Sequence, residues 1–182
     1  MSLDLSSDYF SLFGLPLSYS IDSGFLMQRY RELQQNAHPD RFANSSDLER
    51  RLSLQYATHI NEALRVLKDP LERARYILEM KGVQWDDEHA TLSDPAFLMQ
   101  QMELRESLSE VREQQDPLAT IASILSDVST MIRDYSEQLK TLLQSDQMSD
   151  LDMAKDQVRK MQFLKKMLSE AEALEADLED EL

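Results

Sequence analysis

Three groups of residues have types and spacings that could do chemistry. The first is His38-Pro39-Asp40, which sets an imidazole that titrates near neutrality and a carboxylate on either side of a proline. Proline fixes its own φ and pushes the preceding residue out of the α region, so a helix arriving from the N-terminal side must end at His38. On residue types alone the triplet is an ordinary helix terminator, although chance would supply it in only about one chain of this size per hundred. The second group is Glu103, Glu106 and Glu110, whose helical spacing lines one flank and gives poor convergence for a divalent cation. The third is the pair of solitary histidines, His59 and His89, read as packing or surface residues. No nucleophile sits beside a base, and no paired carboxylates suggest acid–base work. With no cysteine in the chain, thiolate chemistry, zinc fingers and a self-held iron–sulfur cluster are all excluded. A binding protein is expected, not an enzyme, with no metal and no cofactor of its own.

Bulk composition agrees with that expectation. The 182 residues include 34 acidic and 19 basic side chains, a net charge of −15 that disfavours nucleic acid. The excess is uneven. Residues 1–80 hold 9 basic and 11 acidic side chains, whereas residues 81–182 hold 10 and 23. The chain has no apolar run near the roughly 18 residues of a membrane span, and residues 1–8 have no basic, apolar signal pattern. Three glycines and five prolines among many Leu, Glu, Gln, Met and Ala favour helix throughout. A soluble, cytoplasmic, all-α protein is expected.

The elements that must position these residues follow from periodicity. Asp8 precedes a short apolar turn (Tyr9, Phe10, Leu12, Phe13) that Gly14 and Pro16 terminate. Asp22 reads as the cap of a helix over 23–37, with Leu26, Tyr30, Leu33 and Ala37 on one face. A polar loop carrying His38-Pro39-Asp40 follows, and Asp47 reads as the cap of a second long helix striped by Leu52, Tyr56, Ile60, Ala63 and Leu67. After Pro70 a shorter helix ends before Gly82. The pattern predicts one module over 1–80, an aperiodic linker over 81–93 and a three-helix bundle over 94–182. In the bundle, Asp94-Pro95 starts a helix to about Glu113, Pro117 starts one to about Gln144, and a third begins near Asp150 and runs into an acidic end read as solvated.

At about 100° per residue, Phe97, Leu104, Leu108 and Val111 form the inward stripe of the first bundle helix. Leu98 and Met102 then fall about 100° and 140° away, and Met99 about 200°, beside Glu103, Glu106 and Glu110. A large apolar side chain opposite the core stripe gains nothing on folding, and adaptable methionines rimmed by charge suit a partner surface. Phe163, about 140° from the local centre of the third helix, reads as outward and able to join that patch if the two helices are neighbours.

A helical hairpin with His-Pro-Asp in its loop resembles the J-domains, which stimulate the ATPase of DnaK-type chaperones. That resemblance implies that His38, Pro39 and Asp40 stimulate, and that Arg29, Arg31 and Arg41 dock on an acidic chaperone surface. The stretch before the motif, Gln34-Gln35-Asn36-Ala37, lacks the Tyr and Lys/Arg common there, which implies a weaker and less salt-sensitive contact. A glycine/phenylalanine-rich linker and a cysteine-rich region are both missing, so the general DnaJ plan does not apply. The strings from Phe97 to Glu106 and from Val158 to Lys166 make nearly the whole chain similar to the HscB-type J-domain co-chaperones of iron–sulfur cluster assembly. The partners then implied are a DnaK/HscA-type chaperone and an IscU-type cluster scaffold, the latter held by Leu98, Met99, Met102, Glu103, Glu106, Glu110 and Phe163. Methionine at 102, where that family has leucine, conserves volume. A J-domain protein with a different client, or a helical interaction protein without chaperone activity, are the alternatives on residues alone.

Overall fold

A computed structural model describes residues 7–37, 46–85 and 94–181. Among them every regular element is helical. The chain divides into two compact units, 1–80 and 81–182.

The first unit opens with α1 (Tyr9–Phe13), held at its start by Asp8, which accepts the Ser11 N–H at 3.0 Å. Gly14 closes it at φ +66°, a left-handed conformation that suits a residue without Cβ. Helix α2 (Ser23–Ala37) starts at Asp22, whose Oδ1 accepts the Gly24 and Phe25 N–H groups at 2.8 and 3.0 Å. For α3 (Asp47–Lys68) the sequence points to Asp47 as cap; the cap is Ser46 instead. Ser46 and Glu49 form a reciprocal capping box, satisfying two orphan amides where an aspartate cap alone satisfies fewer. The hairpin is antiparallel: Ala37 meets Ser53, while Tyr30 and Gln34 both donate to Asn61 Oδ1, at 3.0 and 2.6 Å. Phe10, Phe13, Leu26, Ile60, Leu67, Ile77 and Leu78 are fully buried and make up its core. Helix α4 (Pro70–Met80) takes Pro70 as its first residue, with Asp69 Oδ1 accepting from Leu71 at 2.8 Å.

In the second unit, residues 81–85, read from sequence as part of a linker, lie against the bundle. Val83 is buried, Lys81 pairs with Asp146 and donates to the Ser145 carbonyl, and Lys155 donates to the Gln84 carbonyl at 2.7 Å. The bundle is α5 (Pro95–Ser109), a 3₁₀ turn (Val111–Glu113), α6 (Pro117–Leu142) and α7 (Met148–Asp180). Sequence carries α5 on to Glu113, but the α-helix stops at Ser109 and the tighter turn swings Val111 fully into the core. The acidic end is not merely solvated. Ala171, Leu174 and Leu178 recur at i, i+3 and i+7 and pack into the core, and Glu181 pairs with Arg112 at 2.7 Å. At 1.5 Å per residue α7 is about 50 Å long and α5 about 22 Å, so α5 covers only part of the α6–α7 hairpin.

Candidate functional site

His38, Pro39, Asp40 and Arg41 lie outside the described residues; Ala37 before them and Ser46 after them are each held by hydrogen bonds. The buried Ser53 hydroxyl donates to the Ala37 carbonyl at 2.8 Å, closing α2 at its last residue. Nine residues later Ser46 opens α3 through its capping box. An unsatisfied buried carbonyl at Ala37 would cost about 1–3 kcal/mol, which this bond avoids. Of the two arginines on α2, Arg29 turns inward: its Nε donates to the Phe13 carbonyl at 3.1 Å and its guanidinium pairs with Glu32. Arg31 is exposed and turns its Nε to the Met27 carbonyl at 3.3 Å. Residues two apart on a helix do not face the same way, so Arg29 ties α2 to α1 while Arg31 faces solvent. His59 sits edge-on to the Tyr9 ring at 5.5 Å, a packing contact; His89 lies outside the described residues.

The second surface is built on α5. Asp94 caps it, accepting the Ala96 and Phe97 N–H groups at 3.0 and 3.2 Å, and Pro95 follows at the first helical position. The same carboxylate pairs with Lys160 of α7, and that hydrogen bond, ahead of the Phe97 amide, holds it below the usual carboxylate range. The Lys160 ammonium also lies over the Phe97 and Tyr135 rings, at 5.4 and 5.7 Å. Phe97 is buried, edge-on to Tyr135 at 6.3 Å and to Phe163 at 5.9 Å. One aromatic anchor thus seats the start of α5 between α6 and α7.

That seating turns the opposite flank outward. Leu98 is 39%, Met99 64% and Met102 71% exposed, and Glu103, Glu106 and Glu110 are exposed beside them. An open groove of about 450 Å³ between α5 and α6 borders Met99 and Glu103 and is closed on its far side by Tyr135. Phe163 departs from its sequence reading: it is half-buried, packed on the core beneath α5, with the Arg105 guanidinium 5.6 Å over its ring. The helical wheel of α7 places Phe163 outward, but α5 lies over that position and covers part of it. Arg105 and Lys160 escaped the sequence reading. Neither has a local signal, since their partners are 58 and 66 residues away. Among the described residues no group of His, Asp and Glu converges as a metal site, and no helix is long and apolar enough to cross a membrane.

Residues 93–172 match the family model for the HSCB C-terminal oligomerisation domain. A co-chaperone protein HscB homolog from Shewanella halifaxensis is 43% identical over 95% of this chain and 99% of its own length. The structure of chaperone HscB from Vibrio cholerae superposes with a TM-score of 0.85 at 40% identity, covering 94% of this chain and 99% of that one. Human co-chaperone protein HscB gives a TM-score of 0.82 at 28% identity, over 93% of this chain and 83% of that one.

Proposed function

The chain belongs to the HscB co-chaperone family, and from that premise we propose that it brings an IscU-type cluster scaffold to a DnaK/HscA-type chaperone and stimulates that chaperone's ATPase. In this reading the protein works in the cytoplasm, in iron–sulfur cluster assembly, and its chemistry is done by its partner. The unit over 1–80 acts as the J-domain, with His38, Pro39 and Asp40 stimulating hydrolysis and Arg41, Arg31 and the remaining face of Arg29 meeting an acidic surface. The bundle holds the scaffold. Leu98, Met99 and Met102 supply apolar affinity, Phe163 adds its half-buried ring, and Glu103, Glu106 and Glu110 orient a basic patch on the scaffold. Carrying both surfaces on one chain raises the effective concentration of scaffold at the chaperone without any new contact.

The observation that carries this reading is the outward flank of α5, where Leu98, Met99 and Met102 stand exposed within a row of carboxylates. Burying such side chains against a partner contributes about 1.5–3 kcal/mol each. Calorimetric titration of the full chain with the scaffold tests it. The triple variant Leu98→Ala, Met99→Ala, Met102→Ala is expected to keep its helical circular dichroism and bind at least about a hundredfold more weakly. Undiminished affinity in that variant would remove the patch from the proposal.

A further inference from the structure

We propose that Met99 and Met102 are sites of reversible oxidation by peroxide, and that their sulfoxides release the bound scaffold; this rests on the reading of α5 as the scaffold surface. The chain has ten methionines and no cysteine, so sulfur oxidation can fall only on thioethers. Exposure divides them. Met99 and Met102 are 64% and 71% exposed, whereas Met161 and Met167, at 1% and 2%, are sealed in the bundle core. Met131 is half-buried and its sulfur already accepts the Gln100 amide at 3.6 Å. The Met99 and Met102 side chains lie three residues apart on one helix, hence side by side. They also occupy the apolar part of the patch, where the family resemblance places leucine, an unoxidisable side chain, at 102.

The chemistry needs only the peroxide. A thioether lone pair attacks one peroxide oxygen, the S–O bond forms as the O–O bond breaks, and the attacked oxygen's proton leaves with the departing hydroxide as water. Sulfur loses two electrons and the peroxide gains them. A methionine sulfoxide reductase with a dithiol reverses the change, giving thioether, disulfide and water. A sulfoxide turns a flexible apolar side chain into a polar one that a partner cannot bury without supplying a hydrogen bond. Met80 on α4, at 41% exposure, and Met148 and Met153 on α7, at 63% and 50%, are oxidised as well but are not part of the patch, and so serve as internal controls.

The full chain, treated with hydrogen peroxide, would be examined by peptide-mapping mass spectrometry, circular dichroism and scaffold titration, beside the variant Met99→Leu, Met102→Leu. Expected are early sulfoxides at 80, 99, 102, 148 and 153 ahead of 161 and 167, unchanged helicity, and scaffold affinity lowered at least about tenfold. The double leucine variant, measured against its own untreated affinity, is expected to show no change on peroxide treatment, and the reductase to restore wild-type affinity. Full affinity in wild type with both sulfurs oxidised, or an equal loss in the leucine variant, overturns the proposal. If untreated wild type fails to bind the scaffold, the underlying reading falls and this one with it.

Discussion

Arg105 shows how one side chain can shape a surface without belonging to its apolar part. Its guanidinium lies 5.6 Å over the Phe163 ring, which in turn meets Phe97 edge-on. An exposed cation–π contact is worth about 0.5–1 kcal/mol. The substitution Arg105→Gln is therefore expected to speed scaffold dissociation about two- to fivefold, and Arg105→Lys to recover most of the loss, because the ammonium keeps a charge over the ring. Biolayer interferometry reads this directly, and identical dissociation rates in the glutamine variant would show that the stack does not order the patch. The exposed positions Met99, Met102, Glu103 and Glu106 could be read from spacing alone, because a helical wheel ranks positions against their own core stripe. Phe163 and Arg105 could not. Whether a position on one helix lies under another depends on packing, which a wheel does not contain.

Helix α5 is short, and a cap and an ion pair meet at its first turn. Asp94 caps it and pairs with Lys160, which holds the carboxyl below its ordinary value of 3.8. A depressed carboxylate contributes stability that is fully present above the unfolded pKa and is lost as pH falls through the folded one. The anchor is thus intact at neutral pH and releases only below about 3.8. In an NMR titration the Ala96 and Phe97 amides, which donate to Asp94, are expected to move with a midpoint under 3.8, and to lose that transition in Asp94→Asn. A midpoint at or above 3.8 would contradict the anchoring. Element positions were largely legible: 23–37 and the Pro95 and Pro117 starts follow from caps and proline placement. The misses have physical causes. Ser46 wins over Asp47 because Glu49 completes a capping box, and Ala171, Leu174 and Leu178 are an apolar stripe hidden in a segment whose composition is acidic.

At the scale of the molecule, the chain is two cores with two electrostatic characters, and the acidic excess belongs to the unit that carries α5. In the proposed function, steering by that excess speeds encounter with a basic scaffold and fades with salt, while the apolar patch sets residence time. The proposed work, however, requires both units on one chain. Steady-state ATPase of the HscA-type chaperone, with and without scaffold, tests this most directly when three proteins are compared. Wild type is expected to stimulate alone and to stimulate further with scaffold. His38→Gln should bind scaffold normally yet stimulate nothing, and the Leu98→Ala, Met99→Ala, Met102→Ala variant should keep the basal stimulation and lose the scaffold's added effect. A triple variant that retains the full added effect, or a His38→Gln protein that stimulates like wild type, would contradict the account.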